Sequence, residues 1–314
     1  MMLVGEVALV RPSVSLWRDA WRRMIANRPA VVSLAFVVVL LAAALLANLL
    51  APYPYERQDL EQTDLGPTAA HVLGTDQLGR DLLSRLLYGS RISLAVALVD
   101  VLIILLIGLP LGLLAGFLGG RIDSLIMRTV DVLLAFPNLL LVIVVIAYLR
   151  AVLDLPQSGA LAVVGAIDKA TGGLLGVFIA LGLVSWLTVA RLVRGQVLSL
   201  KEMQFVEAAR MIGAADARIM LRHLLPNTLA PVIVAATFGI PGAIATEAGL
   251  SFLGLGVRPP LPSWGILIAE GVRSMRAFPH ELIVPAAALA ITLICFNFLG
   301  DGLRDALDPR LKVD

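Results

Sequence analysis

The chain has 314 residues, of which 59% are hydrophobic. Soluble domains are about 45–50% apolar, so this composition indicates an integral membrane protein. The formal net charge of +2 is too small to indicate a nucleic-acid-binding protein. The single cysteine excludes a disulfide framework and a metal site built from several cysteines.

The N-terminal tail, residues 1–29, contains five arginines and no lysine. Within it, Trp17, Trp21, Met24 and Ile25 form an apolar stripe beside arginines, a pattern typical of a helix that lies among lipid headgroups. A basic flank that only fixes the orientation of the chain explains these residues equally well. Both interpretations place the tail on the cytoplasmic side.

The first membrane-spanning helix is predicted at residues 30–51, which carry no charge and can cross a hydrocarbon core of about 30 Å. Residues 52–91 are polar and are expected to lie outside the membrane, so we group residues 30–91 as one unit. Within this unit, residues 81–88 are predicted to form a short amphipathic helix on the membrane surface.

The second span is predicted at residues 92–119. Glycine recurs there every four residues, at Gly108, Gly112, Gly116 and Gly120. Small residues at this spacing favour close packing against another helix in lipid. Pro110 predicts a kink. Asp100 lies at depth, where a charge is costly, so we expect it to face either a cavity or a polar partner.

The third span is predicted at roughly residues 128–149, with a kink at Pro137 and a local ion pair between Arg128 and Asp131. Residues 150–172 are expected to form an external loop. The fourth span, about residues 173–193, then leads into a polar segment.

That polar segment, Arg191 to Asn227, holds six of the 25 Lys and Arg residues. Its apolar residues predict two short amphipathic helices, the first carrying Phe205, Ala208, Ala209 and Ile212 on one face. Gly213 is expected to end the first helix in the left-handed conformation, and Pro226 to stop the second. We interpret the segment as a protrusion that another protein binds.

The fifth span, about residues 229–248, contains several prolines and glycines and is predicted to be broken. Irregular backbone at membrane depth is tolerated where it lines a cavity, so this helix is the candidate for a translocation path, with Glu247 near its outer end. Residues 249–280 are expected to be external, and residues 281–299 to form the sixth span. With six spans and the N-terminus inside, the excess of Lys and Arg lies on the cytoplasmic side, as the positive-inside rule requires.

Catalytic motifs are missing from the sequence. None of the three lysines ends a G-x-x-x-x-G-K-[ST] loop, so the chain has no P-loop of its own for ATP. His280-Glu281 begins like a zinc-binding H-E-x-x-H motif, but Val284 takes the place of the second histidine. No G-x-S-x-G nucleophile motif occurs. We therefore predict no catalytic residue and no metal site.

Three stretches carry a family resemblance. Glu207-Ala208-Ala209, Gly213 and Leu225-Pro226 have the spacing of the EAA loop of ABC-importer permeases, except that His223 replaces the usual isoleucine. The stretch from His71 to Leu94, HVLGTDQLGRDLLSRLLYGSRISL, resembles the first external segment of the C-type permease subunit of dipeptide and oligopeptide importers. The region from Leu250 to the C-terminus is similar to the same subunit.

The resemblance implies an all-α membrane protein with the type I ABC-importer permease fold, six transmembrane helices and both termini in the cytoplasm. Residues 92–302 would form a five-helix core with the coupling loop at 191–228, and residues 303–314 a cytoplasmic tail. The residues implied to contact an ATPase subunit are Phe205, Glu207, Ala208, Ala209, Gly213, Ala214 and Pro226. Asp100 and Glu247 are the candidates for the path.

The implied partners are a second, different permease chain, two ABC ATPase subunits, an extracytoplasmic solute-binding protein and membrane lipid. ATP and Mg²⁺ would bind the ATPase subunits, so this chain would need no cofactor. The resemblance places it in a bacterial or archaeal cell membrane and favours dipeptides or oligopeptides as substrates.

Alternative functions remain. Nickel-chelate and glutathione importers share this scaffold, although His71, His223 and His280 show no metal-ligand spacing. A stand-alone secondary transporter or channel should carry several intramembrane charges or an inverted repeat, whereas only Asp100 is clearly at depth and no repeat is seen.

Overall fold

The computed structural model describes residues 16–155 and 158–307, and in these ranges the chain is mainly helical, with an isolated β-bridge between Thr75 and Asp81. The helices are α1 (Leu16–Ala26), α2 (Arg28–Leu45), α3 (Ala47–Leu50), α4 (Leu82–Ile103), α5 (Leu109–Leu118), α6 (Gly120–Leu134), α7 (Asn138–Leu153), α8 (Ala160–Ala170), α9 (Leu174–Leu200), α10 (Gln204–Met211), α11 (Asp216–Ile219), α12 (Leu225–Phe252), α13 (Trp264–Ser274) and α14 (His280–Leu307). Two five-residue π-helical turns, Ile104–Gly108 and Met220–Leu224, join α4 to α5 and α11 to α12.

Among the described residues, five helical stretches are long and apolar enough to cross a membrane. They are α2, Leu82–Leu118, α9, Asp216–Phe252 and α14. The bent pair of α6 and α7 would make a sixth. The prediction of a helical, multi-span protein is confirmed to this extent.

The second span begins earlier than predicted. The Asp81 side chain accepts a hydrogen bond from the Ser84 backbone amide at 2.7 Å, which caps the N-terminus of α4. From there α4 continues to Ile103 without a break. The prediction of a separate surface helix at residues 81–88 was therefore wrong, because those residues are mostly the first turns of the second span.

The helices of the predicted third span, α6 and α7, are bent by 90° at a break that contains Pro137. The predicted kink at Pro137 is confirmed. The predicted local pair of Arg128 and Asp131 was wrong, because Asp131 accepts from Arg191 of α9 at 2.5 Å. Packing of α6 against α9 brings Arg191 within hydrogen-bonding distance of this carboxylate.

The fifth span is continuous, and the prediction of a broken helix was wrong. α12 passes through Pro231 and Pro241 without interruption. Pro226 does not stop a helix either. It lies in the first turn of α12, directly after the π-helical turn, and α11, this turn and α12 form one 37-residue stretch.

Two segments expected to be irregular contain helices. The loop predicted at residues 150–172 includes α8, and the segment 249–280 includes α13. The fourth span, α9, continues to Leu200, beyond its predicted end.

Helices α1 and α14 bring the two ends of the described chain together. Ala20 and Met24 of α1 are buried in a cluster with Ala30 and Ala306, while Trp21 is 54% exposed. α1 is thus amphipathic as predicted, but part of its apolar face packs on protein. The side chain of Trp17 and residues 308–314 of the predicted tail lie outside the described residues.

Glycines of the predicted packing stripe lie against α9. A Cβ added to Gly108 would be 3.0 Å from the Trp186 oxygen, and one added to Gly112 would be 2.6 Å from the Ala190 oxygen. Gly116 similarly faces Val197. Gly120 departs from the prediction. Its left-handed backbone (φ +54°) belongs to the turn into α6, and no atom lies within 4 Å of an added Cβ.

Candidate functional site

The turn after α10 has a defined C-terminal cap. The Gly213 amide donates to the Arg210 oxygen at 2.9 Å, and the Ala214 amide donates to the Ala209 oxygen at 3.0 Å. Gly213 has φ of +79°. These two bonds and the left-handed residue are a Schellman motif, which glycine forms with little strain. The sequence therefore placed this bend correctly.

One side of α10 anchors it to the helix bundle. Val206 is fully buried and Ala209 is 4% exposed. Both belong to an apolar cluster with Val197 at the end of α9 and Ile219 and Leu224 before α12. Val206 was not among the predicted contact residues, although its spacing of three residues from Ala209 is a helical signal.

The opposite side of α10 and its cap are open. Phe205 is 40% exposed, Met211 89% and Ile212 86%. Glu207 and Ala208 are exposed as well. The predicted apolar face is therefore split, since Ala209 faces the bundle while Phe205, Ala208 and Ile212 do not. We call the exposed set Phe205, Glu207, Ala208, Met211 and Ile212 the outer face of α10.

Aromatic and charged groups frame this outer face. The His223 ring lies 6.4 Å from the Phe205 ring, centroid to centroid, so the histidine that departs from the EAA pattern borders α10. The Arg210 guanidinium lies 5.8 Å from the centroid of Phe117. Glu207 occupies the first turn of α10, where a carboxylate complements the helix dipole.

Ion pairs hold the base of this segment. Arg194 of α9 donates to both carboxylate oxygens of Asp123 on α6, at 2.5 and 2.7 Å. A bidentate pair of this kind fixes orientation as well as distance. This pair was not predicted, because the two residues lie 71 positions apart and are brought together only by the fold.

A cavity of about 530 Å³ opens between α4, α7, α9 and α12. Its lining combines apolar side chains with polar ones at Asp100, Asn138, Ser185, Thr188 and Thr246. Asp100 is 5% exposed and accepts a hydrogen bond from the Ser185 hydroxyl. Of the two alternatives left open for Asp100, a cavity or a polar partner, the structure shows both.

Glu247 lies away from the cavity lining. It is fully buried and accepts hydrogen bonds from Ser251 at 2.7 Å and Ser93 at 3.3 Å. Ser263, just before α13, donates to Ser251 at 3.2 Å. Glu247 thus joins α4, α12 and the start of α13, whereas Asp100 faces open space.

The motif from His71 onward forms a buried ionic network. Asp76 accepts from Arg80 Nε at 2.8 Å and from Arg85 Nη1. Both arginines also donate to Glu270 of α13. His71 bonds Asp81 at 2.9 Å. The charged residues of this motif therefore hold the segment before α4 against α13.

Comparison with known proteins gives consistent matches over most of the chain. The family described as binding-protein-dependent transport system inner membrane component matches residues 108–313, and the N-terminal TM domain of oligopeptide transport permease C matches residues 15–67. The oligopeptide transport system permease protein OppC of Escherichia coli K12 is 45% identical over 94% of this chain and 92% of that protein. OppC of Salmonella typhimurium is 46% identical over the same shares, and the glutathione transport system permease protein GsiD of Shigella flexneri is 43% identical over 99% and 96%.

Proposed function

We propose, because the chain belongs to the family of inner membrane components of binding-protein-dependent transport systems, that it carries peptides across the bacterial inner membrane. It is a multi-pass permease subunit of an ABC importer. Its similarity to oligopeptide and glutathione permeases supports short peptides, glutathione among them, as the substrate class. Six spans with both termini in the cytoplasm complete the proposed topology.

The outer face of α10 and its cap are the proposed contact for an ATPase subunit. Exposed apolar side chains on a short, capped helix offer a surface that a groove can bind. That contact would be formed or shaped by Phe205, Glu207, Ala208, Gly213 and Ala214. The buried Ala209 would pack α10 against the helix bundle. Pro226 would act indirectly, since it lies inside the continuous helix that follows.

Movement of the proposed ATPase contact can be transmitted to the cavity through one helical stretch. Asp216–Phe252 is a single helical stretch that begins three residues after Gly213 and provides Gly239, Ala243 and Thr246 to the cavity lining. A push on α10 would therefore shift one wall of the cavity. The short connection from the exposed helix α10 to the stretch that forms a cavity wall is the observation that carries the coupling proposal.

The complete importer would contain a second, different permease chain, two ATPase subunits that bind ATP and Mg²⁺, and an extracytoplasmic solute-binding protein. The cavity beside Asp100 would supply half of the path and the second permease the other half. ATP-driven closure of the ATPase subunits would open the path outward, and hydrolysis would return it inward.

The test is affinity purification of this chain from its native membrane in a mild detergent, followed by mass spectrometry and reconstitution in vesicles. Recovery of P-loop ATPases and a second permease, with ATP-dependent uptake of labelled tripeptide or glutathione, supports the proposal. A stable homo-oligomer that moves solute without an ATPase contradicts it.

A further inference from the structure

Asp100 is the charged centre of the cavity. It lies midway along the helical stretch Leu82–Leu118, and the other described lining residues are uncharged. One carboxylate oxygen, Oδ1, accepts from Ser185. The second, Oδ2, reaches the cavity wall at Gly239, where an added Cβ would lie 3.5 Å from it. Oδ1 is thus held by a hydrogen bond, whereas none reaches Oδ2 from the part of the chain that the structure describes.

No Lys, Arg or His within residues 16–155 and 158–307 forms an ion pair with Asp100. A carboxylate at membrane depth costs several kcal/mol unless it meets water or a cation. Glu247 shows another solution, since it accepts hydrogen bonds from two serine hydroxyls and does not line this cavity. Because only the Ser185 hydroxyl donates to Asp100 among the described residues, the carboxylate can accept further hydrogen bonds from a cationic ligand.

We propose that Asp100 binds the ammonium group of the substrate as it passes through the cavity, an inference that rests on the proposed function. Every unblocked peptide carries an α-ammonium group. The cavity volume falls within the range of about 300–1,000 Å³ that is usual for small-molecule sites. Thr188, Thr246 and Asn138 add oxygen atoms to the same lining, which suits a group with three N–H donors.

A metal ion is a poorer occupant. Among the described residues, no group of three or more His, Cys, Asp or Glu side chains is placed to hold one. One carboxylate among hydroxyls and an amide matches the single charge of an ammonium group.

The experiment uses the whole importer in vesicles with saturating, substrate-loaded binding protein. The measured quantity is the number of peptides imported per ATP hydrolysed. For Ala-Ala-Ala, Asp100→Asn should lower this ratio at least tenfold, while the charge-preserving Asp100→Glu should keep at least half of it. Glu247→Gln serves as the matched control, because it removes a buried intramembrane carboxylate that does not adjoin the cavity, and should leave the ratio unchanged.

Ala-Lys-Ala separates the two sources of ammonium. Equal losses for both peptides in Asp100→Asn identify the α-ammonium group, whereas a loss confined to Ala-Lys-Ala identifies the lysine side chain. An unchanged ratio for both peptides overturns the inference and leaves the proposed function intact. Failure of Asp100→Asn to copurify with the second permease also overturns it, since Asp100 would then pair with a cation of that subunit. If the unmutated importer hydrolyses ATP but imports no peptide, the proposed substrate class fails first.

Discussion

Arg85 at the start of α4 and Glu270 of α13 lie 185 positions apart in the chain and form an ion pair of 2.6 Å between Nη1 and Oε2. Arg85 is 1% exposed, and the same nitrogen also contacts Asp76. Arg80 donates to both carboxylates from the other side. The polar motif from His71 onward therefore forms a buried ionic network that joins the segment before α4 to α13.

Replacement of Arg85 by alanine should destabilise the protein strongly. Removal of one partner from a buried ionic network costs about 3–5 kcal/mol, because the remaining charges stay buried. We expect a lower thermal midpoint for Arg85→Ala in detergent, measured by the fluorescence of a thiol-independent unfolding probe. Arg191→Ala is the matched control. Its pair with Asp131 is exposed on both sides and should matter little. Equal thermal midpoints for the two variants would contradict the structural role of this ionic network.

Gly213 should tolerate asparagine better than valine. A residue with a Cβ at φ of +79° is strained by about 1–2 kcal/mol, but Asn enters this region readily and a β-branched residue does not. Space is not limiting, since nothing lies within 4 Å of an added Cβ. Gly213→Val should still insert in the membrane but lose most of the binding-protein-stimulated ATPase activity of the importer. Gly213→Asn should retain at least half of it. Similar activities for the two variants would show that the left-handed bend is not needed.

The sequence predicted features that local chemistry decides. The apolar spans, the bend at Gly213 and the kink at Pro137 all follow from hydrophobicity or from the backbone preferences of glycine and proline. The glycine spacing predicted a close helix contact and was right where the helix continues, at Gly112, but not at Gly120, which lies in the next turn.

Features that depend on distant residues were predicted poorly. Asp131 could be paired with Arg128 by helix spacing, but the fold offers Arg191 from another helix. Proline and glycine rules predicted a stop at Pro226 and an irregular fifth span, whereas α12 is continuous and packs against α4, α9 and α14. Asp100 and Glu247 look alike in sequence, and only the structure separates an open carboxylate from one surrounded by serines.

The helix contact at Gly112 should not accept a methyl group. An added Cβ would lie 2.6 Å from the Ala190 backbone oxygen, so α5 and α9 must move apart. Gly112→Ala should lower the thermal midpoint of the purified protein by several degrees. Gly195→Ala on α9 is the control, because it meets no atom within 4 Å and gains helix propensity of about 1 kcal/mol. A midpoint for Gly112→Ala at or above that of Gly195→Ala would contradict the close packing.

The outer face of α10 should bind the ATPase subunit through apolar contact. Ile212 is 86% exposed, so a charge at this position costs the free subunit little. In an apolar groove of a partner, the same charge would be desolvated without a matching group, which weakens association. Ile212→Asp should therefore leave the thermal midpoint of the chain within about 1 °C of the unmutated value but reduce copurification of the ATPase subunit at least tenfold. Val72→Asp, at a position 58% exposed before α4, provides the matched control and should copurify normally. Full ATPase recovery with Ile212→Asp would place the coupling contact elsewhere on the chain.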